Sequence, residues 1–198
     1  MLIETKKLGI TLIVDESFVD FSEPNIRFSL LSEDYLKNNK HLIVIKSISK
    51  SYGVPGLRLG VLATGNTELA TNIRKQIPIW NINSFGEYFL QIVDKYKKDY
   101  IYACNAIVEE RKHFIQALSN IPSLKVFPSQ ANYVMAELQN TISSKRLTEK
   151  LLTEHHIFVK DLSGKQGFPN NRQFLRFAVR DEYDNKKLIN ALKIILNS

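Results

Sequence analysis

Three kinds of side chain in the first third of this chain could act together on one small molecule. Residues 47–60 read SISKSYGVPGLRLG, which sets the primary amine of Lys50 between two serines and the guanidinium of Arg58 eight residues later. Asp15 and Glu16 close an apolar run well ahead of them. A cation in a loop between core strands must meet an anion or lose its charge, because an isolated buried charge is costly. A carboxylate, an amine and a guanidinium could converge on one small anionic molecule that contains nitrogen. The bland alternative makes Asp15 a turn cap, Arg58 an ion-pair partner and Lys50 a solvated surface residue. Spacing alone leaves both readings open.

The elements that must position these residues are legible as short apolar runs. Residues 9–14 (GITLIV), 42–46 (LIVIK) and 58–63 (RLGVLA) are continuous enough for strands covered on both faces, as in a mostly parallel α/β sheet. Residues just past the C-terminal ends of parallel strands line a common crevice where ligands bind. A short helix is predicted over 67–76, closed by Pro78. Ser84-Phe85-Gly86-Glu87 fits a capping box that opens a helical region reaching about residue 119, with a break near Asp99. Beyond Pro122 the pattern changes to strands at 124–127 and 132–138, a helix at 144–154, strands near 157–160 and 173–179, and a last helix at 182–196. This divides the chain into residues 1–83 and residues 84–198, the second beginning with a bridging helix and ending in a small α+β domain.

Composition narrows the function classes. With 198 residues, 44% hydrophobic and 24% charged, the chain suits a globular protein. No apolar run approaches the ~20 residues that span a bilayer, and MLIETKK at the start does not read as a secretory leader, so no membrane partner is expected. The single Cys104 excludes an internal disulfide framework and suits a reducing cytoplasm. The net charge of +7 comes from scattered lysines, with Lys95, Lys97 and Lys98 interrupted by Asp94 and Asp99, so no nucleic-acid partner is expected. His155 and His156 are adjacent and would point apart on a helix, which makes a poor metal pair.

Pyridoxal 5'-phosphate satisfies all three groups of the first constellation. Its aldehyde needs an amine, its ring nitrogen a carboxylate, and its phosphate a guanidinium with hydroxyl donors such as Ser47 and Ser49. The same stretch closely resembles the cofactor-lysine motif of fold-type I pyridoxal-phosphate aminotransferases, in which Ser-x-x-Lys is followed eight residues on by Arg. DESFVDF (15–21) resembles that family's upstream aspartate motif. SQANYVMAEL (129–138) and FLRFAVRDEYDN (174–185) resemble small-domain motifs of the histidinol-phosphate aminotransferase and threonine-phosphate decarboxylase subgroup. IWNINSFGEYFLQI (79–92) is also similar to the aminotransferase half of bacterial proteins fused to a nucleotidyltransferase.

The resemblance implies an α/β fold: part of the three-layer large-domain sheet of fold-type I enzymes, followed by a small α+β C-terminal domain. It implies Lys50 as the Schiff-base and proton-transfer lysine and Asp15 as the partner of the ring nitrogen. Ser47 and Arg58, with Ser49 as a weaker candidate, become phosphate ligands. Arg176 would clamp the substrate carboxylate, and Lys160 and Asn132 become further substrate contacts. Arg180 lies on the strand face of Arg176, but an ion pair with Asp181 or Asp184 fits it equally well. The expected activity is amino transfer between an amino acid, or an amino-acid phosphate, and a 2-oxo acid by a cytoplasmic homodimer. The alternatives are decarboxylation of an amino-acid phosphate and a non-catalytic domain.

Three departures qualify the match. Phe18 occupies the cofactor-binding position where the family often has a tyrosine, and it cannot donate a hydrogen bond. Lys160 stands where phosphate-substrate members have arginine, which replaces a fork of donors with a point charge. The family's glycine-rich phosphate turn, ring-stacking aromatic and asparagine-proline segment should precede Asp15, and nothing like them does. The chain alone is therefore expected to bind the cofactor weakly or not at all and to be inactive.

Overall fold

The computed structural model describes residues 1–196, which fall into two compact units, Met1–Cys104 and a second that begins at Asn105. The division lies inside a long helix. Residue 84, where the sequence reading starts its second part, is instead the first residue of a separate shorter helix.

The first unit opens with helix α1 (Leu2–Lys7), which the sequence pattern did not disclose, and Gly9 at φ 65° turns the chain out of it. The expected strand at 9–14 therefore shrinks to β1 (Leu12–Asp15). Helix α2 (Glu33–Asn38) begins at Ser32, whose hydroxyl accepts from Tyr35 N–H. Strand β2 (Leu42–Ser47) runs directly into the one-turn helix α3 (Ile48–Ser51). A 3-10 turn at Pro55–Leu57 follows, then β3 (Gly60–Thr64) and α4 (Thr67–Gln76), capped by the Asn66 side chain.

Two features of this sheet correct the sequence reading. β1 and β2 are parallel, but β2 and β3 are antiparallel, with Ser47 opposite Gly60 and Ile43 opposite Thr64. Only one face is covered: Leu42 and Val44 are fully buried, whereas Ile13 is 61% and Leu62 47% exposed. The continuous apolar runs thus do not correspond to strands covered on both faces in this chain.

Helix α5 (Ser84–Ile92) starts one residue earlier in its cap than the capping box implies. Asn83 Oδ1 accepts from Gly86 N–H at 2.9 Å, and asparagine caps as well as serine does. The interruption falls at a 3-10 segment, Val93–Tyr96, before α6 (Lys97–Ser119).

The second unit is a four-stranded sheet under helices. Its elements are β4 (Leu124–Val126), β5 (Tyr133–Leu138), α7 (Ser144–His155), β6 (Lys160–Asp161), β7 (Gln173–Ala178) and α8 (Glu182–Leu196). The sheet order is β4-β5-β7-β6, with every pairing antiparallel. Alternation along β5 and β7 turns Val134, Ala136, Leu175 and Phe177 into a core that also takes Leu118, Leu147, Leu151 and Leu192. His155 ends α7, and His156 caps it in the left-handed region at φ 58°. No helix among the described residues is long and apolar enough to cross a membrane.

Candidate active site

The first unit gathers the residues of the opening constellation at one sheet edge. Asp15 ends β1, Ser47 ends β2, and the register puts Gly60 opposite Ser47. Because β3 runs antiparallel, its N-terminal end lies beside the C-terminal ends of β1 and β2. A parallel third strand would have sent Arg58 to the far edge. Asp15, Ser47, Ser49, Lys50 and Arg58 line one open crevice of about 500 Å³ there.

Ser17 builds the acidic side of this crevice, a residue the sequence reading passed over. Its hydroxyl donates to Asp15 Oδ1 at 2.5 Å, its N–H donates to the same oxygen at 2.9 Å, and its oxygen accepts from Ser47 N–H at 2.9 Å. The Ser17 hydroxyl, then its N–H, hold the Asp15 carboxyl below the usual carboxylate range; slight burial opposes them and the Lys50 ammonium assists. Asp15 is therefore kept ionised. The local signal was available, since an Asp whose side chain binds the backbone two residues on is a turn motif.

The adjacent carboxylate has a different role. Glu16 is buried, accepting from Ser29 Oγ and Leu30 N–H, each at 2.6 Å, so it anchors the loop ahead of α2.

Lys50 projects from α3 into the crevice. Its ammonium makes no hydrogen bond among the described residues and sits 4.5 Å from the centre of the Phe18 ring. Phe18, the residue that departs from the family pattern, thus presents a ring face to the amine. Lys46 is the contrasting lysine: half-buried, it donates to Asp20 Oδ1 at 2.8 Å and is committed to structure. Arg58 precedes β3 rather than beginning it. It occupies the left-handed region at φ 56°, an uncommon conformation for a residue with a Cβ, while its Nη1 donates to Pro55 O at 3.1 Å. Ser49 is buried with its hydroxyl on Leu59 O at 3.4 Å, whereas the Ser47 hydroxyl has no partner among the described residues. Of the two serines, Ser47 has the freer donor.

In the second unit Arg176 stands on the exposed face of β7, directly opposite Lys160 on β6. Like charges opposite each other across a ladder repel, so an anion between them would be favoured. The Arg176 guanidinium lies 5.2 Å from the centre of the Tyr133 ring. That contact is diagonal, because Met135 is the residue directly opposite Arg176, and sequence spacing could not reveal it. Asn132 enters β5, its carbonyl accepting from Val179 N–H at 2.9 Å. Arg180 pairs with Asp184, one of the two partners its spacing allowed.

Comparison with known proteins decides the lineage. The family model for aminotransferase class I and II matches residues 2–192. The chain belongs to this family. It is 34% identical to CMP-5'-(3-aminopropyl)phosphonate synthase of Streptomyces rubellomurinus over 187 residues, 94% of this chain and 29% of that protein. It is 32% identical to L-serine phosphate decarboxylase of Sulfurospirillum multivorans, covering 93% of this chain and 47% of that one. The solved histidinol-phosphate aminotransferase of Clostridium acetobutylicum superposes with a TM-score of 0.86 at 33% identity, covering 99% of this chain and 57% of that one. The chain thus spans about half or less of the length of these curated relatives. The α/β fold of fold-type I enzymes expected from the motifs is the fold observed.

The cofactor of this class I and II aminotransferase family is pyridoxal phosphate. The residues present fit it: an unbonded amine, a carboxylate held ionised, an unengaged hydroxyl and a guanidinium converge on one crevice. Among the described residues no group of His, Cys, Asp and Glu is arranged to hold a metal ion.

Proposed function

We propose that this chain carries the lysine-bearing half of a pyridoxal-phosphate enzyme that moves the amino group of an amino acid, or an amino-acid phosphate, to a 2-oxo acid. The convergence of Asp15, Ser47, Lys50 and Arg58 on one crevice carries the reading. When bound, the cofactor supplies an electron sink for the electrons of a bond broken at the substrate's Cα. Lys50 would hold the cofactor through its amine and, when that amine is free, would move a proton between the substrate's Cα and the cofactor's C4' carbon. Ionised Asp15 holds a proton on the ring nitrogen. Arg58 and the Ser47 hydroxyl bind the phosphate, with Ser49 in support, and Phe18 bounds the amine's side of the crevice. Arg176 binds the α-carboxylate through its guanidinium fork, with Lys160 and Asn132 as further substrate contacts.

A second reading, decarboxylation of an amino-acid phosphate, is favoured by the likeness to the L-serine phosphate decarboxylase. Both reactions use the same lysine, and they differ in which Cα bond is broken. Supplying L-serine phosphate, cofactor and a 2-oxo acid separates them: transamination yields a new amino acid from the acceptor, decarboxylation yields carbon dioxide with the acceptor unchanged. In a protein that also carries the glycine-rich phosphate turn and the ring-stacking aromatic expected ahead of Asp15, neither product, with no covalent capture of the cofactor at Lys50 by borohydride, would favour a non-catalytic domain.

A homodimer in the cytoplasm completes the proposal. Ile79, Trp80 and Phe85 are 93%, 90% and 80% exposed, an apolar surface suited to a second copy. The lone Cys104 is buried, which suits a reducing compartment. Sedimentation of the purified protein as a monomer would remove the dimer.

A further inference from the structure

Three buried side-chain oxygens of the first unit have no hydrogen-bond partner among the described residues: Asp20 Oδ2, Ser51 Oγ and Tyr100 Oη. Buried polar atoms are nearly always paired, so three orphans call for an explanation. Asp20 Oδ2 does have Lys46 Nζ at 2.7 Å as an ion-pair contact, which leaves the two hydroxyls wholly unmatched. All three belong to segments that bear on the site. Asp20 follows Asp15 by five residues, Ser51 is the neighbour of Lys50, and Tyr100 lies in the first turn of α6.

An aromatic contact joins the same segments. The Tyr100 ring lies flat on the Tyr52 ring, with centroids 4.0 Å apart and planes 6° apart, and Phe89 meets Tyr52 edge-on at 6.1 Å. Burial pushes both phenols up, Tyr100 far up.

The α3 turn needs such support. It has four residues, of which only Ser49 is buried, and a single helical turn does not hold itself. The Lys50 ammonium makes no hydrogen bond that would fix it from its own end. We infer that Tyr100 is a positioning residue for Lys50, its ring stacked on Tyr52 so that α6 fixes the turn from which Lys50 projects. The inference rests on the reading of Lys50 as the cofactor-binding amine.

Two measurements test it on the protein and its variants. Pyridoxal 5'-phosphate followed by borohydride gives the rate of capture at Lys50, mapped by mass spectrometry. Limiting acetic anhydride, without cofactor, gives the Lys50 acetylation rate relative to the exposed Lys125 and Lys193 of the second unit. Tyr100→Leu should slow capture by about tenfold and change the acetylation ratio. Tyr100→Phe, which keeps the stack, should retain most of the wild-type rate. Wild-type rates in both assays for a folded Tyr100→Leu protein overturn the inference. Where that variant does not fold, Tyr52→Leu, which removes the other ring of the stack, decides, and wild-type rates in both assays overturn the inference. Capture mapped to a lysine other than Lys50 overturns the proposed function instead; where the chain alone captures too little cofactor to give a rate, the acetylation ratio still decides the positioning role.

Discussion

The two units of this chain solve opposite problems. In the second, β5 and β7 close over a core that includes Val134, Leu175 and Phe177, each fully buried, and the cations stand on the other side of the sheet. In the first, only Phe21, Leu42, Val44, Leu59 and Cys104 among the hydrophobic residues are buried, and one face of the sheet lies open beside the crevice. The unit that holds the lysine, acid and guanidinium is the one with the smaller apolar core. Functional polarity at a sheet edge competes with packing there, and the open face leaves apolar area that a further element or second chain would cover.

Breaking a side chain in each unit should expose this contrast. Phe177→Ala empties the centre of the closed core and should cost about 3–5 kcal/mol of stability, read from denaturant unfolding. A loss below 1 kcal/mol would mean that the second unit is not held by this core. Next in size, Arg176→Ala should weaken carboxylate-bearing substrates by at least about thirty-fold while sparing cofactor capture at Lys50. Arg58→Ala should do the reverse, and a shared loss of both in either variant would contradict the division of roles.

Ser17→Ala should cost about 1 kcal/mol, because it leaves the part-buried Ser47 N–H without its partner. It should also raise the Asp15 pKa toward the ordinary carboxylate value, since the Ser17 hydroxyl is the largest cause of the depression. The sign is fixed by linkage. A depressed carboxyl adds stability above its unfolded pKa and loses it as pH falls through the folded one, so the variant should lose less stability on acidification below about pH 4. NMR titration of Asp15 and unfolding at several acidic pH values check both halves.

The smallest effect belongs to the open side. Ile13→Ala and Lys50→Ala should each change stability by no more than about 0.5 kcal/mol, because both side chains are exposed. A large loss for Ile13→Ala at concentrations where the protein self-associates, but not on dilution, would sharpen the comparison by showing that a second copy covers that face.

Much of this was legible beforehand where the signal is local. The helices at 67–76 and 182–196 have the predicted bounds, and α7 runs only one residue longer than predicted, because helix periodicity and end signals lie within a few residues. The break in the long helical region fell before Asp99, at Val93–Tyr96, and the strand near 157–160 contracted to Lys160–Asp161. Strand edges depend on which partner supplies hydrogen bonds, and that is not a local property.

The same division holds at the site. Residue types and spacing determined that an amine, an acid and a guanidinium belong to one constellation, because the chemistry of each group is intrinsic to its side chain. Only the tertiary structure decided that β3 runs antiparallel and so brings Arg58 to the edge of Asp15 and Ser47. It also decided that Glu16 turns away while Ser17 completes the acid, that Lys46 is spent on Asp20 while Lys50 is free, and that Tyr133 lies diagonally from Arg176. Each of these depends on strand direction, register or which face a residue occupies. Those are set by the summed packing of distant segments, which no short stretch of sequence contains.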